Sequence, residues 1–172
     1  MSALPLNEVE RTRVLTLMTQ QTQRMQALVA DLLTLARLEG SPRPPADRWQ
    51  AVSALFQRVR ADGDSLSAGR HELNVSGGED AEIAGSDTEL LSAVGNLVGN
   101  AVKFTDSGSV RLCADWSDGR ARFEISDEGR GISSGEIADL FQAFSQTATG
   151  KSMTEGTGLG LAISSNFVQL MG

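Results

Sequence analysis

Residues 96–104 read NLVGNAVKF, and this segment lies near the end of a predicted helix around which the other motifs are arranged. The helix is predicted over residues 87–103, with Asp87 as its N-cap, because its apolar residues recur at the spacing of one buried face. Asn96, Asn100 and Lys103 fall at i, i+4 and i+7, so they project from one side of the helix. The segment therefore presents two amides and one ammonium group as a single polar strip.

Three further segments follow in order: DEGRGI at 127–132, FQAF at 141–144 and GTGLGL at 156–161. In the first, Asp127 ends a predicted strand and precedes two glycines, so its carboxylate is presented where the backbone can approach a ligand closely. In the last, three glycines precede an apolar segment that is predicted as a helix. Exposed N–H groups at such a helix start suit phosphate oxygens.

The rest of the pattern mixes helix and strand. Residues 51–62 are predicted as a helix, 72–75 and 81–84 as short strands, and 110–116 and 121–125 as a hairpin joined by an Asp-Gly turn. These elements do not form a regular β-α-β repeat. The sequence therefore predicts an α+β fold in which helices cover one face of one sheet.

The N-terminal segment is predicted as one long helix. Residues 7–38 contain no glycine or proline and are rich in good helix formers, and Gly40 and Pro42 are expected to end the helix. Apolar positions recur at alternating steps of four and three, as in a coiled coil, which favours a partner helix over packing on the chain's own domain. The members of this apolar stripe are Val14, Met18, Gln21, Met25, Leu28, Leu32 and Leu35.

Composition excludes several classes of protein. The formal net charge of −7 argues against nucleic-acid binding, because no block of Lys and Arg is present to neutralise phosphates. A single cysteine, Cys113, cannot form an intrachain disulfide. No stretch reaches the ~18 apolar residues of a membrane span. We therefore expect a cytoplasmic chain that binds no nucleic acid.

The four ordered segments resemble the N, G1, F and G2 boxes of histidine kinases, in the superfamily that also holds gyrase, Hsp90 and MutL. The resemblance covers about residues 50–172 and implies a two-layer α/β sandwich, the Bergerat ATP-binding fold. It divides the chain into residues 1–41, the second helix of a dimerisation hairpin without an acceptor histidine, and residues 46–172, the ATP-binding catalytic domain. Related domains continue with a further strand pair, so we expect a C-terminally truncated fold.

The resemblance implies Mg-ATP as the ligand. It makes Asn100 the Mg²⁺ ligand, Phe104 a stacking partner of adenine and Asp127 the acceptor for the adenine amino group, with Ile132 as an apolar wall. The polar segment 145–155 looks like a lid, whose one cation, Lys151, is expected at the γ-phosphate. The nucleotide contacts expected in all are Asn96, Asn100, Lys103, Phe104, Asp127, Gly129, Gly131, Ile132, Gly156, Thr157, Gly158, Leu159, Gly160 and Leu161.

The residue one helical turn before Asn100 indicates transfer rather than hydrolysis. ATPases of the superfamily have a glutamate there that activates water. Here the position is Asn96, and an amide is not a general base. The expected reaction is therefore phosphoryl transfer to an acceptor, with Asn96, Lys103 and Lys151 as the catalytic residues.

The acceptor is not evident in the chain. The only histidine, His71, lies in a predicted strand edge, far in pattern from the long helix, so autophosphorylation of the chain alone is not expected. The resemblance implies a two-component sensor kinase, homodimeric through the N-terminal helix. It also implies two partners, a phosphoacceptor histidine helix and a response regulator receiver domain.

We expect the chain in the cytoplasm, either as a separate protein or as the cytoplasmic part of a membrane-bound sensor. Two alternatives stay open: an anti-sigma-type serine kinase, and a non-catalytic ATP-binding or dimerisation module.

Overall fold

The computed structural model describes residues 7–40, 48–145 and 156–171. Its helices and strands alternate irregularly along the chain, as the sequence predicts. The helices are α1 (Glu8–Gly40), α2 (Val52–Ser67), α3 (Asp87–Phe104), α4 (Ser134–Ile137) and α5 (Gly160–Met171). The strands are β1 (Trp49–Ala51), β2 (His71–Ser76), β3 (Glu82–Ala84), β4 (Gly108–Ser117) and β5 (Arg120–Asp127).

The larger sheet has the strand order β2-β4-β5. β2 runs parallel to β4, with His71 opposite Gly108, and β4 and β5 form an antiparallel hairpin. Asp118 and Gly119 connect the hairpin with φ angles of 52° and 74°, the left-handed pair that a tight two-residue hairpin turn needs. The predicted hairpin and its Asp-Gly turn are confirmed.

The prediction of a single sheet is wrong for the described residues, because β3 pairs with β1 in a separate two-stranded sheet. The chain leaves the larger sheet at Gly77, whose φ is 82°. A Cβ on Gly77 would lie 2.2 Å from the carbonyl oxygen of Ala114, so only glycine fits this close approach to β4. β1 is three residues long, which is too short to show the alternation of apolar and polar residues that predicts a strand.

The main core lies between the larger sheet and a layer of two helices. α2 and α3 pack against each other and turn their apolar faces towards the strands, which confirms the two-layer arrangement. Phe56 of α2 meets Phe123 of β5 edge to face, with ring centroids 6.1 Å apart. The fully buried residues of this core are Val52, Val59, Leu90, Val98, Val102, Val110 and Leu112.

The start of α3 differs by one residue from the prediction. Ser86 has the extended backbone of an N-cap (φ −79°, ψ 127°), and Asp87 lies in the first turn, where it pairs with Arg58 of α2. Glu89 follows in the same turn, and its Oε2 atom is buried without a hydrogen-bond partner. Burial raises the pKa of the Glu89 carboxyl above its ordinary value of 4.5.

We expect Glu89→Gln to stabilise the fold at neutral pH. Because the folded-state pKa is raised, the stability that Glu89 contributes is present below pH 4.5 and is lost as the pH rises through the folded-state pKa. The amide carries no charge to desolvate, so the urea midpoint should rise at pH 7 and the gain should shrink at low pH. Glu82→Gln, an exposed site in β3, is the control with the same charge change. An equal gain from Glu82→Gln would mean that net charge, not burial, is responsible.

A second, smaller core joins the C-terminal end of α1 to α5. Leu35 and Leu38 of α1 pack against this cluster. Most of the rest of the predicted apolar stripe of α1 is exposed: Met18 and Met25 have 60% and 68% of their surface accessible, whereas Leu28 is half-buried. The buried members of this second core are Ala93, Leu159, Ile163 and Phe167.

Within the described ranges, no helix combines the length and the apolar character that a membrane crossing needs.

Candidate functional site

The polar strip of α3 faces the start of α5. Asn96 donates from Nδ2 to the carbonyl oxygen of Gly160 at 3.1 Å and to Oγ of Ser164 at 3.3 Å. A Cβ on residue 160 would lie 3.4 Å from Asn96 Cγ, so a side chain in place of Gly160 would crowd Asn96. Asn96 therefore ties the first box to the last, and Asn100 lies one turn further along α3, half-buried.

Ser164 completes this connection, and sequence analysis did not single it out. Its Oγ is buried and lies 3.1 Å from the carbonyl oxygen of Ala93 and 3.0 Å from that of Gly160. A serine on an otherwise apolar face of a predicted helix was the available signal. Ser164 holds α5 against α3 at the glycine-rich loop.

The carboxylate of Asp127 is fixed at the end of β5. Its Oδ1 accepts the Gly129 N–H at 2.9 Å. A Cβ on Gly129 would lie 2.6 Å from that Oδ1 and 2.7 Å from the carbonyl oxygen of Phe104, so the loop requires glycine there. The predicted second box therefore lies directly against the C-terminal end of α3, with Asp127 exposed.

A surface ion pair holds the same loop. Arg130 donates from Nε and Nη2 to Oδ2 of Asp106, at 2.9 and 2.7 Å. Both side chains are largely exposed, so the pair contributes little to stability. It links the loop to the connection after α3. Gly131 follows with a φ of 69°, and Ile132 is half exposed.

Lys103 reaches the glycine-rich loop. Its Nζ lies 3.0 Å from where a Cβ on Gly156 would be, and 5.1 Å from the centroid of the Phe104 ring. Gly156 has a φ of 126°, a conformation that favours glycine. An ammonium group therefore lies beside the loop that is predicted to bind phosphates and close to an aromatic ring.

Further hydrogen bonds hold the glycine-rich loop. The Phe144 N–H donates to the carbonyl oxygen of Gly158 at 3.0 Å, and the Leu159 N–H donates to Oγ1 of Thr157 at 3.2 Å. The Leu159 side chain is fully buried in the second core. Only its backbone can therefore meet a ligand, and Leu161 follows half-buried in the first turn of α5.

Another contact to the glycine-rich loop comes from α1. Thr157 donates from its hydroxyl to Oδ2 of Asp31 at 2.7 Å, in a part-buried position. Sequence analysis did not select Asp31, although it is the only acidic residue between Glu10 and Glu39. Lys151, the remaining predicted catalytic residue, lies outside the described residues.

His71 is part of the core. Its Nε2 donates to the carbonyl oxygen of Thr105, and its Nδ1 lies 3.1 Å from Oγ of Ser67. The Ser67 hydroxyl in turn accepts the His71 backbone N–H at 2.9 Å. With both ring nitrogens engaged and the residue buried, His71 has a structural role, in agreement with the prediction that it is not the phosphoacceptor.

The two ends of the site carry opposite charges beside closely approaching backbone, an arrangement that suits a nucleotide. The described residues contain no cluster of three or more His, Cys, Asp or Glu side chains that could hold an ion. Backbone at Gly129 and Gly156 instead comes close to a carboxylate and an ammonium group, where a side chain would intrude. Such an arrangement can bind a base at one end and phosphates at the other.

Residues 85–172 match the model of a known family, described as histidine kinase-, DNA gyrase B-, and HSP90-like ATPase. The chain is also 41% identical over 155 residues to the phosphate regulon sensor protein PhoR of Pseudomonas aeruginosa. That alignment covers 88% of this chain and 35% of PhoR.

Solved structures share the fold. Full-length ShkA in complex with AMPPNP matches 97% of this chain with a TM-score of 0.76 at 29% identity, and the match covers 35% of ShkA. The mycobacterial sensor histidine kinase MprB matches 71% of this chain with a TM-score of 0.62 at 26% identity, over 80% of the MprB chain. The predicted fold class is confirmed. The chain spans about a third of the length of PhoR and ShkA.

Proposed function

Because this chain belongs to the histidine kinase-, DNA gyrase B- and HSP90-like ATPase family, we propose that it is the ATP-binding catalytic part of a sensor histidine kinase. It transfers the γ-phosphate of ATP to a histidine on another segment or chain. The observation that carries this proposal is that Lys103 and the end of α3 lie against both Gly156 and Gly129. Three of the four sequence boxes thus meet in one place.

Asp127 recognises the adenine end. One carboxylate oxygen is held by the Gly129 N–H, which leaves the other to accept the amino group of adenine. Guanine has a carbonyl acceptor at that position and would be repelled, so the carboxylate selects adenine. Phe104 stacks on the base, and Ile132, half exposed beside Gly131, provides an apolar wall.

The phosphate end is formed by Lys103, the loop from Gly156 to Gly160 and Leu161 at the start of α5. Lys103 supplies positive charge, and the loop and the first turn of α5 supply backbone N–H groups. Lys151 is a further catalytic cation. Asn100 would hold Mg²⁺ through its amide oxygen, and the ion would neutralise charge on the phosphates.

Asn96 favours transfer over hydrolysis. It occupies the position of the water-activating glutamate, and its Nδ2 donates to α5. An amide so engaged cannot take a proton from water. Asn96 therefore acts by joining the metal-binding turn of α3 to the phosphate loop.

The exposed part of α1 is the proposed dimer interface. Most of its apolar stripe, including Met18 and Met25, is exposed in the described residues, whereas Leu35 and Leu38 pack on the second core. We propose that α1 pairs with the histidine-bearing helix and with a second copy. Residues 1–41 and 46–172 are then the two functional units, and a response regulator receiver domain takes the phosphate in the cytoplasm.

The test is phosphoryl transfer in trans. The chain is mixed with Mg-ATP labelled on the γ-phosphate and with a helix peptide that carries one histidine. We expect acid-labile, base-stable label on the peptide and none on the chain itself, since His71 is buried. The same peptide with glutamine in place of its histidine is the control.

Acid-stable label on a protein substrate would instead support a serine kinase. ATP binding without transfer to any acceptor would contradict the kinase proposal and leave a binding module.

A further inference from the structure

Asp31 joins α1 to the glycine-rich loop by a hydrogen bond. Its Oδ2 accepts the Thr157 hydroxyl at 2.7 Å across 126 positions of sequence, in a part-buried position. Next to this contact, Leu35 and Leu38 pack on the cluster that contains Leu159. The docking of α1 on the second core and the conformation of the glycine-rich loop are therefore coupled.

The contact commits two hydrogen-bond donors of the loop. The Thr157 hydroxyl has a single proton, which points to Asp31. Its oxygen accepts the Leu159 N–H at 3.2 Å. A carboxylate strengthens such a chain of hydrogen bonds, because the ionised acceptor polarises the hydroxyl between them. Neither donor is then available to an anion that approaches the loop.

We propose that Asp31 is a positioning residue that lowers the affinity of this site for phosphate-bearing nucleotides. It acts through Thr157, which it holds in an orientation that satisfies Leu159 internally, and it adds a negative charge beside the loop. This inference rests on the proposed function, in which the loop binds the phosphates. Phosphate binding and α1 docking then compete for the same donors.

Competition has a reciprocal consequence. If docked α1 weakens nucleotide binding, bound nucleotide must weaken the docking of α1 by the same factor. Nucleotide binding would thereby change the docking of α1, the helix whose exposed stripe is proposed to pair with a partner. Because Asp31 acts through Thr157 in the loop that is proposed to bind the phosphates, its effect should depend on the phosphates alone.

The first experiment compares ligand affinities by calorimetry. Asp31→Asn keeps the size and one acceptor oxygen but removes the charge, and it should tighten ATP binding by about fivefold or more. Adenosine, which has no phosphates, should bind the variant and the parent chain equally. Asp64→Asn, an exposed α2 site with the same charge change, is the matched control and should leave ATP affinity unchanged.

Each outcome separates the two proposals. If the parent chain does not bind ATP, the proposed function is wrong. If it binds ATP but Asp31→Asn binds equally or more weakly, the proposed function stands and the role of Asp31 is overturned. An equal gain for adenosine would also overturn it, because the effect would not act through the phosphates.

A second measurement needs no substitution. In the parent chain, amide hydrogen exchange across residues 28–38 should become faster when ATP is added, as α1 loosens from α5. Adenosine should leave that exchange unchanged. Slower or unchanged exchange with ATP, at a concentration that saturates the site, would overturn the competition.

Discussion

Asp127→Asn is expected to weaken ATP binding by about ten- to a hundredfold, equivalent to about 1.5–3 kcal/mol for a hydrogen bond to a charged group. Oδ1 of Asp127 already accepts the Gly129 N–H. In the variant, the amide oxygen would keep that contact, and the NH₂ group would take the place of the second oxygen. A donor would then face the amino group of adenine, which is also a donor.

The measurement is ATP affinity by calorimetry, with thermal melting to show that the fold is intact. Asp115→Asn is the matched control, since Asp115 is an exposed residue of β4 with the same charge. We expect it to bind ATP like the parent chain. Unchanged affinity in Asp127→Asn would remove the adenine contact from the proposed site.

Leu159→Ala is expected to lower the free energy of unfolding by about 2–5 kcal/mol. Leu159 is fully buried in the small core that joins α1, α3 and α5. Removing three carbons there leaves a cavity that Ile163 and Phe167 cannot fill without moving. Urea unfolding at constant pH measures the change.

The same substitution separates packing from ligand contact at the glycine-rich loop. Leu66→Ala, at an exposed position of α2, is the control and should change stability by less than about 0.5 kcal/mol. If Leu159→Ala were as stable as Leu66→Ala, the buried position of its side chain would be wrong. The Leu159 side chain would then be available to the nucleotide, as a simple reading of the motif suggests.

Much of the fold was predictable because its signals are local. The helical spacing of α3 and the left-handed turn at Asp118 and Gly119 depend on neighbours a few positions apart. β1 escaped prediction because three residues show no period, and its pairing with β3 is visible only in the folded chain. The single predicted sheet was wrong for the same reason.

At the candidate site, residue types were easier to predict than their roles. The spacing of Asn96, Asn100 and Lys103 correctly put them on one face of a helix, since that spacing is the period of the helix itself. It did not reveal that Asn96 donates to α5. Nor did the glycine-rich motif distinguish Leu159, whose side chain is buried, from residues whose side chains can meet a ligand.

The sequence by itself determined the four boxes, their order, the helices and turns that present them, and the place of its one histidine, His71, outside the long N-terminal helix. Only the tertiary structure decided that α1 contacts the glycine-rich loop through Asp31 and Thr157, and that Ser164 joins α3 to α5. The physical reason is distance along the chain. A helix or a turn arises from preferences within a few residues, whereas contacts across 71 or 126 positions exist only after the cores have packed and brought those surfaces together.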